Sequence, residues 1–395
     1  MRSRFHDYSC EYRKERNIVN RAEECMMSHA AKAAVFNGVG KPMDIRSYPL
    51  IAPGKGDVSL RMIASGICGT DVHIVKGRLA LPAMDVIIGH EFIGEITGLG
   101  DGVTTDGLGN AIAVGDKAIA CVAVPCGTCF NCRRGETASC LNFGVTYMKD
   151  PAAAPHFFGG YAEHLMSPAK NLVRVPDGIA VDAVAAFPCA GPTVLRAFEY
   201  AGGIDAGAFV VVQGTGPMGL FAIAYAANMG ATVIAVGSAA NPERIRLAKA
   251  FGASAVLDYR SSAQERIDSI MKAAREHDRG NGADIVIETS GSPASFVEGL
   301  SIIRTRGKYI VPGQYSSSGA VSISPEMITF KAVTIVGSGQ YTLADIGAYC
   351  AFIQNHPGHV PIFSQCITHR YSIEDADIAL ENAANGISIK GVFTC

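Results

Sequence analysis

The pattern of apolar residues changes near Val194. Before this residue, apolar segments are short and are separated by turns rich in Gly and Pro, as at Pro53–Gly56. This pattern is typical of short β-strands. After Val194, continuous apolar runs alternate with segments long enough for helices. Strands that lie between two layers of helices are apolar on both faces, so the runs indicate buried parallel strands.

The second region therefore predicts an α/β fold with a doubly wound parallel sheet of about six strands. Its predicted strands are Phe209–Val212, Thr232–Val236, Ala255–Leu257, Asp284–Glu288, Tyr309–Val311 and Val333–Val336. Its predicted helices are Pro217–Met229, Pro242–Phe251 and Gln264–Glu276. The last ~60 residues lose this alternation, and we expect them to return to the first region.

These patterns predict three segments. Residues 1–26 carry charges of both signs and lack the apolar core of a secretory signal, so we expect a disordered or loosely docked tail. Residues 27–193 together with 338–395 form the expected β-rich domain. Residues 194–337 form the expected α/β domain with the parallel sheet.

Composition narrows the possible functions. The 395 residues are 48% hydrophobic and 18% charged, with a formal net charge of −2. This balance gives no reason to expect a nucleic acid or an anionic membrane surface as a partner. No apolar run reaches the roughly 18 residues that a membrane helix requires. Several of the 12 cysteines cluster as metal ligands do, so we expect a reducing compartment, the cytoplasm.

Four cysteines form the pattern Cys-x2-Cys-x2-Cys-x7-Cys, at Cys126, Cys129, Cys132 and Cys140. Four thiolates at this spacing can form a closed tetrahedral shell around a structural zinc ion. The alternatives are an iron–sulfur cluster and a pair of disulfides. A bacterial-type cluster has a shorter last spacing followed by Cys-Pro, whereas Leu141 follows Cys140 here. A closed shell has no position for a substrate, so the reaction must take place elsewhere.

The segment V-V-V-Q-G-T-G-P-M-G-L is a dinucleotide-binding fingerprint between a predicted strand and a predicted helix. Gly214 permits the tight turn, Gly216 lets a pyrophosphate approach the backbone, and Gly219 allows close helix packing. The helix start at Pro217 and Met218 offers free N–H groups to the phosphates. The alternative is an ordinary tight turn between a strand and a helix.

The end of the second predicted strand leaves the choice between NAD and NADP open. Proteins that bind NAD usually carry an acidic residue there. This chain has Gly237 and Ser238 instead. Arg244, in the following helix, could bind a 2′-phosphate or be solvated.

Three separate segments supply ligands for a second zinc ion. G-I-C-G-T-D-V-H contains Cys68, I-I-G-H-E-F contains His90 and Glu91, and F-P-C-A-G-P-T contains Cys189. Two thiolates and one imidazole with an open fourth position form a catalytic zinc shell. A lone buried cysteine or histidine usually belongs to a core, but metal ligands together with a cofactor motif are what an active site requires.

These motifs resemble those of the zinc-dependent medium-chain alcohol dehydrogenases over about residues 28–395. The resemblance implies a GroES-like catalytic domain, a Rossmann cofactor domain and two zinc ions per chain. It also implies reversible hydride transfer between a primary or secondary alcohol and a nicotinamide cofactor. The segments H-F-F-G-G-Y-A-E-H and V-G-S-A-A-N-P-E-R are similar to those of bacterial members that oxidise cyclic or terpenoid alcohols.

The same resemblance implies roles around the metal. Cys68, His90 and Cys189 would bind the catalytic zinc ion. Glu91 would lie behind the ion, and Asp71 would orient the histidine ligand.

Further roles concern the substrate and the cofactor. Thr70 would bind the substrate hydroxyl, and His73 would end a proton relay to solvent. Thr193 would lie beside the nicotinamide, and Lys390 would meet the cofactor phosphates. The resemblance favours NAD, because no Ser-Arg pair followed by a basic residue is present to bind a phosphate.

The expected partners are an alcohol and its aldehyde or ketone. The last predicted strand of the sheet, Val333–Ser338, would meet its twin across a two-fold axis, which implies a homodimer or a homotetramer. No motif encodes the substrate. The candidates for pocket-lining side chains are Phe92, Leu141, Tyr147, Phe157 and Phe158.

Two alternatives stay open. A zinc-free reductase of the same superfamily would act on activated C=C bonds and would not need the metal ligands. A non-enzymatic cofactor-binding protein would have gaps in the zinc shell or the relay. The residues that argue against both alternatives are Cys68, Thr70, His73, His90 and Cys189.

Overall fold

The structure is a computed structural model that describes residues 30–395, except residues 82, 122, 146, 147 and 315. The predicted tail at 1–26 lies outside the described residues. The strands are β1 (Ala30–Val35), β2 (Asp44–Pro49), β3 (Asp57–Gly66), β4 (Phe92–Leu99), β5 (Lys117–Ala120), β6 (Ala123–Val124), β7 (Gly144–Val145), β8 (His164–Pro168), β9 (Leu172–Arg174), β10 (Phe209–Gln213), β11 (Thr232–Gly237), β12 (Ala253–Asp258), β13 (Ala283–Glu288), β14 (Ile303–Val311), β15 (Thr334–Gly337), β16 (Ile367–Tyr371) and β17 (Lys390–Phe393).

The helices are α1 (Gly69–Val75), α2 (Phe130–Arg133), α3 (Val181–Ala185), α4 (Ala190–Tyr200), α5 (Pro217–Asn228), α6 (Pro242–Ala250), α7 (Ala263–Glu276), α8 (Pro293–Ile302), α9 (Glu326–Thr329), α10 (Leu343–Asn355), α11 (Val360–Cys366) and α12 (Ala376–Ala384). None of the helices in the described part of the chain is both long and apolar enough to cross a membrane.

One sheet contains six parallel strands in the order β12-β11-β10-β13-β14-β15. This is the doubly wound order, in which the first strand, β10, has the second strand on one side and the fourth on the other. The predicted parallel sheet is confirmed. Helix α8 and the early start of β14 at Ile303 were not predicted. A ligand of such a sheet binds outside the carboxyl ends of the strands, beside β10.

A second sheet is mainly antiparallel and runs in the order β16-β17-β3-β4-β5-β9, with β8 also paired to β3. Its strands β16 and β17 come from the end of the chain, as the loss of alternation there predicted. Strand β17 pairs with the end of β3, where Phe393 is opposite Ser65. The pairing therefore brings Lys390, at the start of β17, to the segment that precedes α1. The exact domain boundaries stay a prediction.

One apolar cluster joins the two sheets. It contains Ile93 and Ile119 of the antiparallel sheet together with Val210 and Val212 of β10. Helix α4 contributes residues to the same cluster and packs against α5 and α10. Because α4 begins directly after Cys189, this packing positions one predicted metal ligand beside the carboxyl ends of the parallel strands.

Candidate active site

The four clustered cysteines form a compact group of sulfur atoms. The Sγ atoms of Cys126, Cys129, Cys132 and Cys140 all lie within 4.8 Å of one another. Cys129 Sγ and Cys140 Sγ are 4.0 Å apart, whereas a disulfide requires about 2.05 Å. Zinc–sulfur bonds of about 2.3 Å place tetrahedral ligands roughly 3.8 Å apart. Hydrogen bonds from Thr128 lower the pKa of Cys126 to about 5. The group therefore fits one tetrahedral ion.

A second cluster assembles residues that are far apart in the chain. One ligand atom each from Cys68, His90, Glu91 and Cys189 lies within 4.8 Å of the others. Cys68 is the residue before α1, His90 and Glu91 precede β4, and Cys189 precedes α4. Contact with the Cys189 sulfur lowers the pKa of Cys68, which favours a thiolate there. The predicted second set of ligands is thus brought together.

Asp71 connects the start of α1 to the histidine of this cluster. Its Oδ2 accepts a hydrogen bond from the backbone N–H of Cys68 at 2.9 Å. Its Oδ1 lies 3.4 Å from His90 Nδ1. Facing a carboxylate, Nδ1 carries the ring proton and leaves Nε2 to bind a metal. Two sulfurs and one imidazole oriented in this way are the donors of a catalytic zinc site, so the residues fit the ion.

Tyr161 lies close to Asp71 and was not predicted as a site residue. The side chain is fully buried, and its ring packs edge-on against Phe393 at 4.7 Å. Burial, and then the charge of Asp71, raise the pKa of its hydroxyl. The segment G-G-Y-A-E contains this residue, but only its position in the fold relates it to Asp71.

Glu91 forms a buried ion pair with Lys390. Each side chain is 2% exposed, and Lys390 Nζ also donates to the carbonyl of Ile67 at 3.2 Å. Burial raises the pKa of Glu91 to about 7. A Cβ on Gly66 would overlap the Glu91 carboxylate. The resemblance implied that Lys390 meets the cofactor phosphates. In the structure its ammonium group instead pairs with Glu91. A phosphate contact therefore stays a prediction, and it requires this pair to rearrange.

The predicted substrate and relay residues line the same cavity as the second cluster. Thr70 Oγ1 lies 3.7 Å from Cys68 Sγ. Burial, and then the charge of Arg78, lower the pKa of His73. The hydroxyl of Thr193 donates to the carbonyl of Cys189 at 2.8 Å, which orients this side chain within α4.

The cavity has a volume of about 400 Å³ and extends from the second metal cluster to the glycine loop. Residues on its wall include Ile67, Leu79, Leu81, Phe143, Met148, Thr289, Gly313 and Tyr341. The proposed lining by Phe92, Phe157 and Phe158 is wrong, because these aromatic side chains are buried in the core. Leu141 is 67% exposed, and Tyr147 lies outside the described residues.

The glycine loop has the steric properties that the fingerprint predicts. Gly214 has a φ of 118°, and a Cβ there would lie 2.8 Å from Thr289 Oγ1. A Cβ on Gly219 would overlap the carbonyl oxygen of Gly214. By contrast, a Cβ on Gly216 would have Arg244 Nη1, 4.0 Å away, as its nearest neighbour. Space for a ligand thus remains at Gly216, where α5 begins with Pro217 and Met218.

The hydrogen bonds of Arg244 differ from both roles that the sequence suggested, which were binding a 2′-phosphate or being solvated. Arg244 Nη1 donates to the carbonyl of Thr215 and its Nη2 to that of Ser388, both at 3.0 Å. The guanidinium therefore joins the glycine loop to the segment before β17, and these donors are not directed to a 2′-phosphate. A Cβ on Gly237 would overlap the side chain of Thr215. Ser238 follows directly, in the turn after the strand.

Comparisons with known proteins agree with this architecture. The chain matches the model of the alcohol dehydrogenase GroES-like domain over residues 54–177 and that of zinc-binding dehydrogenases over residues 217–355. A 5-exo-hydroxycamphor dehydrogenase of Pseudomonas putida is 33% identical over 368 residues, which are 92% of this chain and 98% of that protein.

Solved structures share the fold over nearly the same length. An alcohol dehydrogenase from Thermotoga maritima has a TM-score of 0.83 at 28% identity, covering 92% of this chain and 99% of that one. A Sinorhizobium meliloti protein whose structure was solved bound to NADP has a TM-score of 0.77 at 25% identity, covering 93% of this chain and 99% of that one. The chain therefore belongs to the alcohol dehydrogenases of the medium-chain dehydrogenase/reductase family and is an oxidoreductase.

Proposed function

We propose that this protein is a zinc-dependent alcohol dehydrogenase that interconverts an alcohol and its aldehyde or ketone with a nicotinamide cofactor. One observation carries the proposal: a single cavity contains the ligand set Cys68, His90 and Cys189 at one end and the glycine loop at the other. A substrate between them would contact both the metal and the cofactor, which is the arrangement that hydride transfer requires.

The two bound groups supply complementary chemistry. When bound, zinc is a Lewis acid toward the substrate oxygen, and the nicotinamide accepts or donates the hydride. The chain holds these groups in position. Cys68, His90 and Cys189 would bind the metal, Asp71 would keep the imidazole oriented, and Gly216 would leave room for the pyrophosphate.

The chain also moves the proton. Thr70 Oγ1, beside Cys68, would accept the substrate hydroxyl proton and pass it toward His73. Because burial lowers the pKa of His73, its ring is neutral at pH 7 and can accept a proton. Thr193, fixed by its bond to the Cys189 carbonyl, would support the nicotinamide.

The substrate that we propose is a secondary alcohol with an apolar, cyclic carbon skeleton. The wall of the cavity that contains the metal cluster includes apolar side chains such as Leu79, Leu81 and Met148. The relative named as a 5-exo-hydroxycamphor dehydrogenase supports a compact terpenoid alcohol. We propose NAD as the cofactor, the cytoplasm as the compartment and a homodimer or homotetramer as the assembly.

A panel of alcohols tests this function. Cyclic secondary, linear secondary, primary and polyhydroxy alcohols should be assayed with NAD and with NADP, and zinc should be measured in the same protein. We expect oxidation of cyclic alcohols by protein that contains zinc. Reduction of activated C=C bonds without zinc would instead support the superfamily reductase, and cofactor binding without turnover would support a non-enzymatic role.

A further inference from the structure

The strand beside β11 supplies an acid at the point where β11 lacks one. Asp258 is the last residue of β12, and it pairs in register with Gly237, the last residue of β11. Paired residues of neighbouring parallel strands, about 4.8 Å apart, direct their side chains to the same face of the sheet. The carboxylate of Asp258 therefore lies level with Gly237, the position at which proteins that bind NAD usually carry an acid, but one strand further from β10.

The carboxylate of Asp258 is directed over the turn that follows β11. Its Oδ1 accepts hydrogen bonds from the backbone N–H groups of Ala239, at 3.3 Å, and Arg260, at 3.1 Å. Ala239 is only two residues beyond Gly237. Within the described part of the chain, Oδ2 has no hydrogen-bond partner, and the side chain is half-buried rather than covered. One oxygen of Asp258 thus remains available to a hydroxyl group at this turn.

Of the three arginines near this turn, two are paired with other groups, so the negative charge of Asp258 is offset only in part. Arg244 donates to the carbonyls of Thr215 and Ser388. Arg266 forms an ion pair with Glu298. Arg260 is the exception, since its guanidinium lies over the Tyr259 ring, 5.8 Å from the ring centroid.

The usual position of the acid is closed to a side chain, because a Cβ on Gly237 would overlap Thr215. A carboxylate can therefore reach the turn from β12 but not from β11 unless Thr215 moves. The closed position at Gly237 and the carboxylate of Asp258 both lie at the end of the sheet where the adenosine ribose of a dinucleotide binds in the doubly wound fold.

We propose that Asp258 determines the cofactor specificity of this protein. Its free carboxylate oxygen accepts a hydrogen bond from the 2′-hydroxyl of the adenosine ribose and repels a 2′-phosphate. The chain therefore discriminates in favour of NAD with an acid from its third strand. This inference rests on the proposed function, because it requires that a nicotinamide dinucleotide binds at the glycine loop.

Binding measured by calorimetry on zinc-loaded protein tests this assignment without turnover. The substitution D258N keeps an oxygen that can accept from Ala239 and Arg260 but removes the charge. We expect wild type to bind NAD more tightly than NADP. We expect D258N to bind NAD about tenfold more weakly and NADP more tightly, because a charge-assisted hydrogen bond and a repulsion are both lost. With 2′-deoxy-NAD, wild type and D258N should have similar affinities.

Control variants separate this effect from a general change of charge. D268N removes an exposed carboxylate from α7 and should leave both affinities unchanged. R260A should not weaken NADP binding selectively; if it does, Arg260 rather than Asp258 sets the preference and the assignment is overturned. Should D258N fail to fold, D258S, which keeps a hydroxyl acceptor, has the same expected result.

The inference and the proposed function fail in different ways. If wild type binds both dinucleotides but D258N leaves their ratio unchanged, Asp258 is not the specificity determinant. If wild type prefers NADP, the assignment is likewise overturned. If neither dinucleotide binds, the proposed function falls as well.

Discussion

The side chain of Thr215 occupies the space into which a Cβ on Gly237 would project. Thr215 belongs to the glycine loop, and Gly237 ends β11, so the loop and the strand end fit each other only while residue 237 is glycine. The absence of an acid at this position is therefore a packing requirement as well as a feature of cofactor binding.

The substitution G237D should destabilise the protein. Forcing extra atoms into a packed site costs about 1–3 kcal/mol, so we expect a lower Tm. The double variant T215G/G237D removes the opposing side chain and should recover most of the loss, whereas T215G alone provides the reference. A G237D protein as stable as wild type would contradict the contact with Thr215.

Removal of one partner from the Glu91–Lys390 pair should be costly. K390M leaves the buried carboxyl group of Glu91 without its cation, and at alkaline pH, where this group must ionise, breaking a buried ion pair costs about 3–5 kcal/mol. In E91Q/K390M no charge remains, so its free energy of unfolding should be closer to that of wild type. Urea unfolding of the three proteins measures this difference. Equal losses in the single and double variants would show that packing, and not the charge, is responsible.

The two cysteine clusters should hold one zinc ion each. C68S should retain a single zinc ion and lose turnover, with little change in Tm. C129S should reduce stability and soluble yield, because a structural zinc site contributes directly to folding. C395S changes a cysteine outside both clusters and should keep two ions. Mass spectrometry of metal content checks all three; a fully active wild type with one ion would refute the assignment.

The relay predicts a defined pH dependence. Burial lowers the pKa of His73, so the ring stays neutral and able to accept a proton to a lower pH than an ordinary histidine, whose pKa is about 6.5. The acidic limb of kcat/KM for alcohol oxidation should therefore lie below pH 6.5 in wild type. H73A should slow oxidation by about tenfold or more, most strongly at the lowest pH at which the wild-type ring is still neutral, and imidazole buffer should restore part of the rate. H277A, an exposed histidine outside the cavity, should match wild type, and a pH profile unchanged by H73A would remove His73 from the mechanism.

The edge of the parallel sheet should form the contact between subunits. Strand β15 ends the sheet, and Ile335 in it is 38% exposed. The backbone N–H and C=O groups at an open sheet edge can pair with another strand. A second copy of β15 would pair with them across a two-fold axis. I335K should dissociate the assembly in light scattering at micromolar concentration. I378K, at a 56% exposed residue of α12, is the matched control; a monomeric wild type would contradict this prediction.

Features defined by local spacing could be predicted from the sequence. The cysteines at 126–140 and the glycines at 214–219 each lie within one short segment, where the spacing itself restricts the geometry. The buried parallel strands could be predicted for a similar reason, because a continuous apolar run between two helices is typical of a strand that helices cover on both faces.

Features that depend on distant contacts could not be predicted in this way. The partner of Lys390 lies 299 positions away, and no local pattern relates the two residues. Phe92 and Phe158 were candidates for the pocket because they are aromatic, but an aromatic residue is as suitable for a core. Arg244 was placed correctly on a helix, yet its acceptors are carbonyls of Thr215 and Ser388, which only the tertiary structure brings near.

The contact of Gly66 with the Glu91–Lys390 pair has a consequence for how this protein can vary. A Cβ on Gly66 would overlap the Glu91 carboxylate and lie 2.9 Å from Lys390 Nζ. A change at any one of these three positions alone would therefore create either a steric clash or a buried charge without a partner. We expect relatives with a larger residue at position 66 to lack the acid, the lysine or both. The residues at these three positions should therefore vary together among relatives. A library that randomises them together should yield functional combinations that no series of single substitutions can reach.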